Sequence, residues 1–232
     1  MVAVIAALYD EVFLLLRELK YTKIDGIPQY TGKINDVSVA LYLCKPAAPK
    51  IAKLQKFMKQ HPFRFYVNAG FAGSLVTKFE YGDPVFAKKV GSFQKENFFL
   101  KPEKMKNLFE AHNLVTVNQP VFSLEEKEDT YFLSKAEIVD MEAHRLLKAS
   151  SDIGIKLDKW RILKIIGDMP GDEYFLQKEV AFRDFFSSHG FFKKLKIVRN
   201  TGIRTSWFLY KRKKFLQKKL YDSLFKILDF AG

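Results

Sequence analysis

Three carboxylates in this chain stand where an apolar run ends, and each has a type and placement that could do chemistry. Glu142 closes Ile138-Val139-Asp140-Met141-Glu142-Ala143, an apolar strand running into a helix that starts near Ala143. A carboxylate at a helix start lies near the positive end of the dipole, which stabilises its anion. With Met141 beside it, Glu142 also suits a sugar: two acceptor oxygens for vicinal hydroxyls and a thioether for the ring face. Glu11 follows the apolar residues 2–7 and, with Asp10, opens a second junction of this kind. Two acids in a first helical turn are an ordinary start signal. Just beyond a strand end, Glu11 could equally face a pocket as a general base. Asp168 follows Arg161-Ile162-Leu163-Lys164-Ile165-Ile166-Gly167. Aspartates often close the turn after a strand.

The elements that must position these groups read as strands alternating with helices, an α/β pattern whose ligands collect at the carboxyl ends of the strands. Residues 2–7 are apolar without interruption, as in a central parallel strand. Residues 30–32 and 37–43 read as a strand pair around Lys33-Ile34-Asn35-Asp36. Cys44-Lys45-Pro46-Ala47-Ala48-Pro49-Lys50 opens a helix expected through Gln60. Proline suits a helix start but removes N–H donors. Residues 63–68 alternate as a strand that is expected to end in a loop, Ala69-Gly70-Phe71-Ala72-Gly73-Ser74-Leu75. Two glycines so close let a backbone approach a ligand or turn sharply. Residues 90–104 read as a basic loop, 102–113 as carrying a helix, 114–117 as a short strand. The acids of 125–129, around Lys127, read as a solvated helix start or loop. A helix is expected over 179–187. In the last helix Leu216, Leu220, Leu224 and Leu228 form an apolar stripe, and Lys211, Arg212, Lys213 and Lys214 before it read as a solvated face.

With 232 residues, 48% hydrophobic and 28% charged, the chain suits one globular domain over 1–232. No apolar run is long enough to span a bilayer, and MVAVIAALYDEV lacks the early basic region of a signal peptide. Cys44 is the single cysteine, which excludes an intrachain disulfide and multi-cysteine zinc sites and makes the cytoplasm the expected compartment. His61, His112, His144 and His189 show no metal-protease spacing, and His144 is expected to be packed. The net charge of +13 would suit nucleic acid, an anionic membrane or an anionic substrate. No RNA-binding signature or zinc-finger spacing accompanies it, so it is read as a lysine-rich background, with neither nucleic acid nor membrane as partner.

The segments VDMEA (139–143), NAGFAGSL (68–75) and IIGD (165–168), in that setting, resemble the purine nucleoside phosphorylase and nucleosidase family. The branch most alike hydrolyses 5'-methylthioadenosine and S-adenosylhomocysteine. The resemblance runs from the first strand to about Phe185 and resumes in the last helix. It implies a three-layer αβα sandwich around a mixed central sheet, and hydrolysis of the N-glycosidic bond of a purine nucleoside without cofactor or metal. It also implies a homodimer. By position, Glu11 would activate water (Asp10 if the register shifts by one), Met141 and Glu142 would hold the ribose, and Asp168 would protonate purine N7. Phe71, Ala72, Gly73 and Gly167 would line the base pocket, Phe122 would stack on the purine, and Phe182 would face the base.

Several positions depart from the family pattern. Prolines and alanines replace the turn of the type SGIGK at 45–50, Phe71 replaces a small residue, Gly167 replaces a serine, and 118–122 keep mainly Phe122 of SGDxF. Asp83, in the turn before the next strand, is read as structural, and 190–207 as a basic insertion before the last helix. A phosphorylase would need a cationic phosphate pocket, to which no arginine can be assigned. A non-catalytic nucleoside-binding relative is the other alternative.

Overall fold

The computed structural model describes residues 1–44, 51–93, 96–101, 108–172 and 203–230. In chain order the elements are β1 (Val2–Ala6), α1 (Phe13–Leu16), β2 (Lys20–Ile24), β3 (Ile27–Ile34), β4 (Val37–Leu43), α2 (Ile51–Lys59), β5 (Tyr66–Ser74) and β6 (Pro84–Ser92). They continue with β7 (Asn97–Phe99), β8 (Ala111–Thr116), α3 (Leu124–Ser134), β9 (Ile138–Asp140), α4 (Ala143–Ser151), β10 (Trp160–Asp168) and α5 (Ile203–Asp229). All strands join one mixed 10-stranded sheet. The fold is α/β, as expected.

Two apolar faces explain the layers. Ala3, Ile5, Tyr42, Tyr66, Ile162 and Ile166 point to one side, where they pack with Leu54 and Phe57 of α2 and Leu146 and Leu147 of α4. Val4, Leu41, Val67, Leu163 and Ile165 point to the other, under Leu15 of α1 and the α5 stripe Leu216, Leu220, Leu224 and Leu228. The four stripe leucines are all buried. Period-two alternation in the strands and period-four in the helix thus meet across the same core.

β5 is the hub. It pairs in parallel with β1 and β10 and antiparallel with β9. Because β10 also pairs with β6, β6 with β8 and β8 with β9, these strands return to β5 and close a ring. The rest of the sheet runs outward from β5 through β1, β4, β3 and β2.

Four local expectations are corrected. Residues 69–74 are not a loop but the second half of β5, held as strand by β10, whose pairing runs to Gly73. The basic stretch 90–104 holds the end of β6 and all of β7, paired Val90 to Phe98. Residues 111–113 belong to β8 rather than to a helix, while 102–107 lie outside the described residues. The helix α5 already begins at Ile203, inside the expected insertion. The turn Asn35–Asp36 does have the left-handed backbone of a tight hairpin, with φ of 47° and 60°. Among the described residues no helix is long and apolar enough to cross a membrane.

Candidate active site

Glu11 lies in the turn between β1 and α1 and is bent back onto β5. Its Oε2 accepts from the Leu8 N–H (3.0 Å) and its Oε1 from the Phe71 N–H (3.1 Å). The carboxylate rests against Gly70, where a Cβ would stand 3.1 Å from Oε1. Asp10 turns the other way, to Lys213 at 2.6 Å. Of the two acids, Glu11 is the one directed inward.

Glu142 occupies the N-cap position of α4 without capping it. Capping falls to Asp140, whose Oδ2 accepts from the Ala143 N–H at 3.0 Å. Asp140 Oδ1 accepts from the Thr116 hydroxyl (2.6 Å), and Thr116 Oγ1 accepts from the His144 N–H (2.9 Å). Between the two acids sits Lys164, fully buried on β10, with Nζ 2.8 Å from Asp140 Oδ2 and 2.5 Å from Glu142 Oε1. Burial raises the Glu142 carboxyl to about 7; Lys164 opposes that, and the charges of Asp140 and Glu11 add to it. Burial pulls Lys164 down, but Asp140 and Glu142 outweigh it and hold the ammonium above its ordinary value. Cys44, at the end of β4, shares this cluster: burial, then Glu142 and Glu11, push its thiol up to about 12, so it stays neutral. Glu11, Glu142, Asp140, Lys164 and Cys44 therefore form one electrostatic unit.

Asp168 ends β10 and has a different company. Its carboxylate pairs with Lys127 of α3, which is fully buried. It also presses on Gly73, where a Cβ would stand 2.8 Å from Oδ1 and 3.1 Å from Val139 Cγ1. Any side chain there would push the Asp168 carboxylate from its place. Burial raises the Asp168 carboxyl above its ordinary value, while Lys127 and then Arg212 oppose the rise. β5 is thus touched by Glu11 at Gly70–Phe71 and by Asp168 at Gly73.

The remaining expected residues are placed as follows. Met141 is half-buried against the small cluster of Leu75, Val115, Val117, Ala136 and Val139. Phe71 gives its N–H to Glu11, and its ring packs against the core beneath α5. Ala72 is buried; Gly167 is half-buried and its carbonyl accepts from Arg212 Nη2 at 2.6 Å. A Cβ at Gly167 would meet Phe71 Cβ at 3.4 Å, an ordinary contact. Phe122 is half-buried and its N–H donates to Glu126 Oε2 at 2.9 Å. Phe182 lies outside the described residues. Asp83 accepts from the Glu80 N–H at 2.7 Å within its turn, a structural role. His144 is packed against Phe98.

Three charged groups escaped sequence reading. Arg212, expected on a solvated face, is buried and bonded to Gly167 and Asp172. Lys164 carried a usable signal, a lysine in the middle of an apolar strand, which must find a counter-charge. Lys127 carried none, because acids surround it in sequence. A cleft of about 380 Å³ between β6, β8 and the end of α3, lined by Lys89, Ser92, Asn97 and Leu133, contains none of these carboxylates.

The mixed α/β sheet thus gathers carboxylates at its strand ends around one glycine-rich strand, and known proteins share that fold. No family model matches the chain. A stretch of 103 residues is 30% identical to the 5'-methylthioadenosine/S-adenosylhomocysteine nucleosidase of Maridesulfovibrio salexigens, taking in 41% of this chain and 43% of that protein. Among solved structures, the Helicobacter pylori nucleosidase of the same name superposes with a TM-score of 0.67 at 15% identity, covering 96% of this chain and 97% of that one. A futalosine hydrolase mutant of Helicobacter pylori gives 0.59 at 15% identity, covering 71% and 88%. The chain has the fold of these nucleosidases and, over that stretch, is similar in sequence to one of them.

Proposed function

We propose that this protein hydrolyses the N-glycosidic bond of a purine nucleoside, with 5'-methylthioadenosine and S-adenosylhomocysteine as the first substrates to test. The observation that carries the reading is that two carboxylates from different elements, Glu11 of the β1–α1 turn and Asp168 at the end of β10, both press against β5, at Gly70–Phe71 and at Gly73, with Glu142 in the field of Glu11. Water attacks the anomeric carbon and loses a proton to Glu11. The C1'–N9 electron pair passes to the base, and Asp168 delivers a proton to N7. Met141 and Glu142 hold the ribose. An oxocarbenium-like transition state gains most from such fixed charges in a site shielded from water. The proposal includes a homodimer, which sedimentation of the purified protein checks.

One observation favours a second reading, a relative that binds nucleosides without cleaving them: Glu142 and Asp168 are each engaged by a buried lysine. A base-release assay separates the two. Methylthioadenosine, adenosylhomocysteine, adenosine, inosine and futalosine are incubated with wild type and Asp168→Asn, with and without phosphate. Phosphate-independent release that falls at least about a hundredfold in Asp168→Asn is expected from a lost general acid. Release only with phosphate would make the protein a phosphorylase. No release by folded protein would leave the binding role.

A further inference from the structure

The cleft between β6, β8 and the end of α3 takes no part in the mechanism above. Strand register explains why it is there. Lys89 of β6 pairs with Asn113 of β8 on one side and with Phe99 of β7 on the other; two residues on, Gly91 pairs with Val115 and Asn97. Paired residues point to the same face, as do residues two apart, so all of these share one surface. Gly91 leaves a gap in the middle of it. Asn97 leans into that gap, since a Cβ at Gly91 would stand 2.6 Å from Asn97 Oδ1. The opposite wall is the end of α3 with Leu133. That end is fixed by Lys135, whose backbone is left-handed (φ 54°) and whose N–H donates to the Tyr131 carbonyl at 2.8 Å.

About 380 Å³ is open there, room for a small organic molecule rather than a lone ion. The polar groups around it are uncommitted. Among the described residues, the Asn97 and Asn113 carboxamides make no hydrogen bond and Lys89 makes no ion pair, its Nζ resting 5.9 Å from the centre of the Phe99 ring. Phe93, just past the end of β6, and Leu133 of α3 line the cleft while 51% and 70% exposed. Each group has a matching chemistry. A carboxamide carries a donor beside an acceptor and pairs with the edge of a nucleobase, adenine above all. Exposed apolar walls suit the flat faces of such a ring. A lysine without a counter-charge suits a phosphate.

We propose that this cleft is a binding site for a nucleoside monophosphate. The ligand lies along β6, with its phosphate at Lys89 and Asn113, its sugar over Gly91, and its base between Phe93 and Leu133 with an edge on the Asn97 carboxamide. The order follows from the row Lys89–Gly91–Phe93, in which the cation, the gap and the aromatic ring succeed one another. None of Glu11, Glu142 and Asp168 lines the cleft. The site is therefore separate from the carboxylates and does not rest on the nucleosidase reading.

The test is calorimetric titration of wild type, Lys89→Met and Asn97→Leu with adenosine 5'-monophosphate, ribose 5-phosphate and inorganic phosphate. Wild type is expected to bind the nucleotide at least about tenfold more tightly than either smaller anion, the worth of one good base-edge contact. Lys89→Met should weaken the nucleotide about tenfold through loss of a charge-assisted contact. Asn97→Leu should weaken the nucleotide about tenfold and leave ribose 5-phosphate unchanged. Lys89 is half-buried and Asn97 exposed, so neither substitution opens the core. No nucleotide binding at millimolar concentration would overturn the proposal. So would ribose 5-phosphate or inorganic phosphate binding as tightly as the nucleotide, which would mean a plain anion contact on a basic protein. Nucleotide affinity unchanged in both variants would seat the ligand elsewhere and overturn it too. No nucleoside enters the titrations, so their outcome is independent of whether the protein cleaves one.

Discussion

Glu142 meets conflicting demands from burial and from its neighbours, and its chemistry follows from that conflict. Burial favours the neutral acid, Lys164 favours the anion, and Asp140 and Glu11 again favour the acid, leaving the carboxyl at about 7. A ribose clamp needs the anion, whose two oxygens accept from both hydroxyls. Under the proposed function, the protonated form that grows below pH 7 would bind substrate less well. We therefore expect kcat/KM to rise as pH climbs through about 7, and expect Glu142→Gln to lose that limb along with much of its affinity. A pH profile of base release on both proteins checks this; an unchanged limb in the variant would assign the titration to another group. Glu142 and Glu11 were legible in sequence because each follows an apolar strand and precedes a helix, a local pattern. Lys127 was not, since an isolated lysine among acids reads as solvent-facing until the helix is docked.

At the scale of elements, β10 and β9 are joined by charge as well as by their shared neighbours. Lys164 of β10 lies between Asp140, which caps α4, and Glu142 at the start of that helix. Lys164→Met keeps the bulk and removes the charge, leaving two buried carboxylates to repel each other. A loss of about 3–5 kcal/mol is expected at neutral pH, typical of breaking a buried pair from one side. The sign of its pH dependence follows from linkage. Without the lysine the Glu142 carboxyl, already raised by burial, loses the group that opposes the rise, so between its unfolded and folded values the folded variant binds more protons than the unfolded chain. Its stability then falls as pH rises through that window and recovers on acidification. Urea titrations at pH 5 and pH 8 should show the deficit relative to wild type shrinking at the lower pH; a constant deficit would contradict the account. The same pair of elements shows where element boundaries escaped the sequence. The glycines of 69–74 signal a loop locally, but β10 on one side and β9 on the other supply partners that keep the chain extended.

For the whole molecule, stability rests on the two faces of the sheet, and α5 covers one of them across a long separation in sequence. Leu220 is fully buried between the sheet and α1, while Lys218 on the same helix is exposed. Leu220→Ala should cost about 2–5 kcal/mol, as core truncations do, whereas Lys218→Ala should stay within about 0.5 kcal/mol. Chemical denaturation of both variants checks the contrast; equal effects would mean that α5 is not packed by this stripe. Arg212 adds a polar tie from α5 to the end of β10 through the Gly167 carbonyl, so loosening the helix is also expected to disturb Asp168.

What the sequence by itself determined is what depends on near neighbours. Apolar strands ending in carboxylates, a helix with leucines four apart, a hairpin at Asn35–Asp36 and the order of motifs all follow from steric preference and hydrophobic period over a few residues. They were enough for the fold class and for the acids of the candidate site. What only the tertiary structure decided is how those acids are partnered. Lys164 meets Asp140 and Glu142, and Lys127 meets Asp168, across separations of 22 to 41 residues. Strand pairing brings β10 beside β5, and α3 docks its one inward cation against the end of that strand. Charge interactions depend on distance and burial rather than on order along the chain, so the partners have no local signature, even where Lys164 in its apolar strand signals that it needs one. They come into being only when the ring of strands has closed.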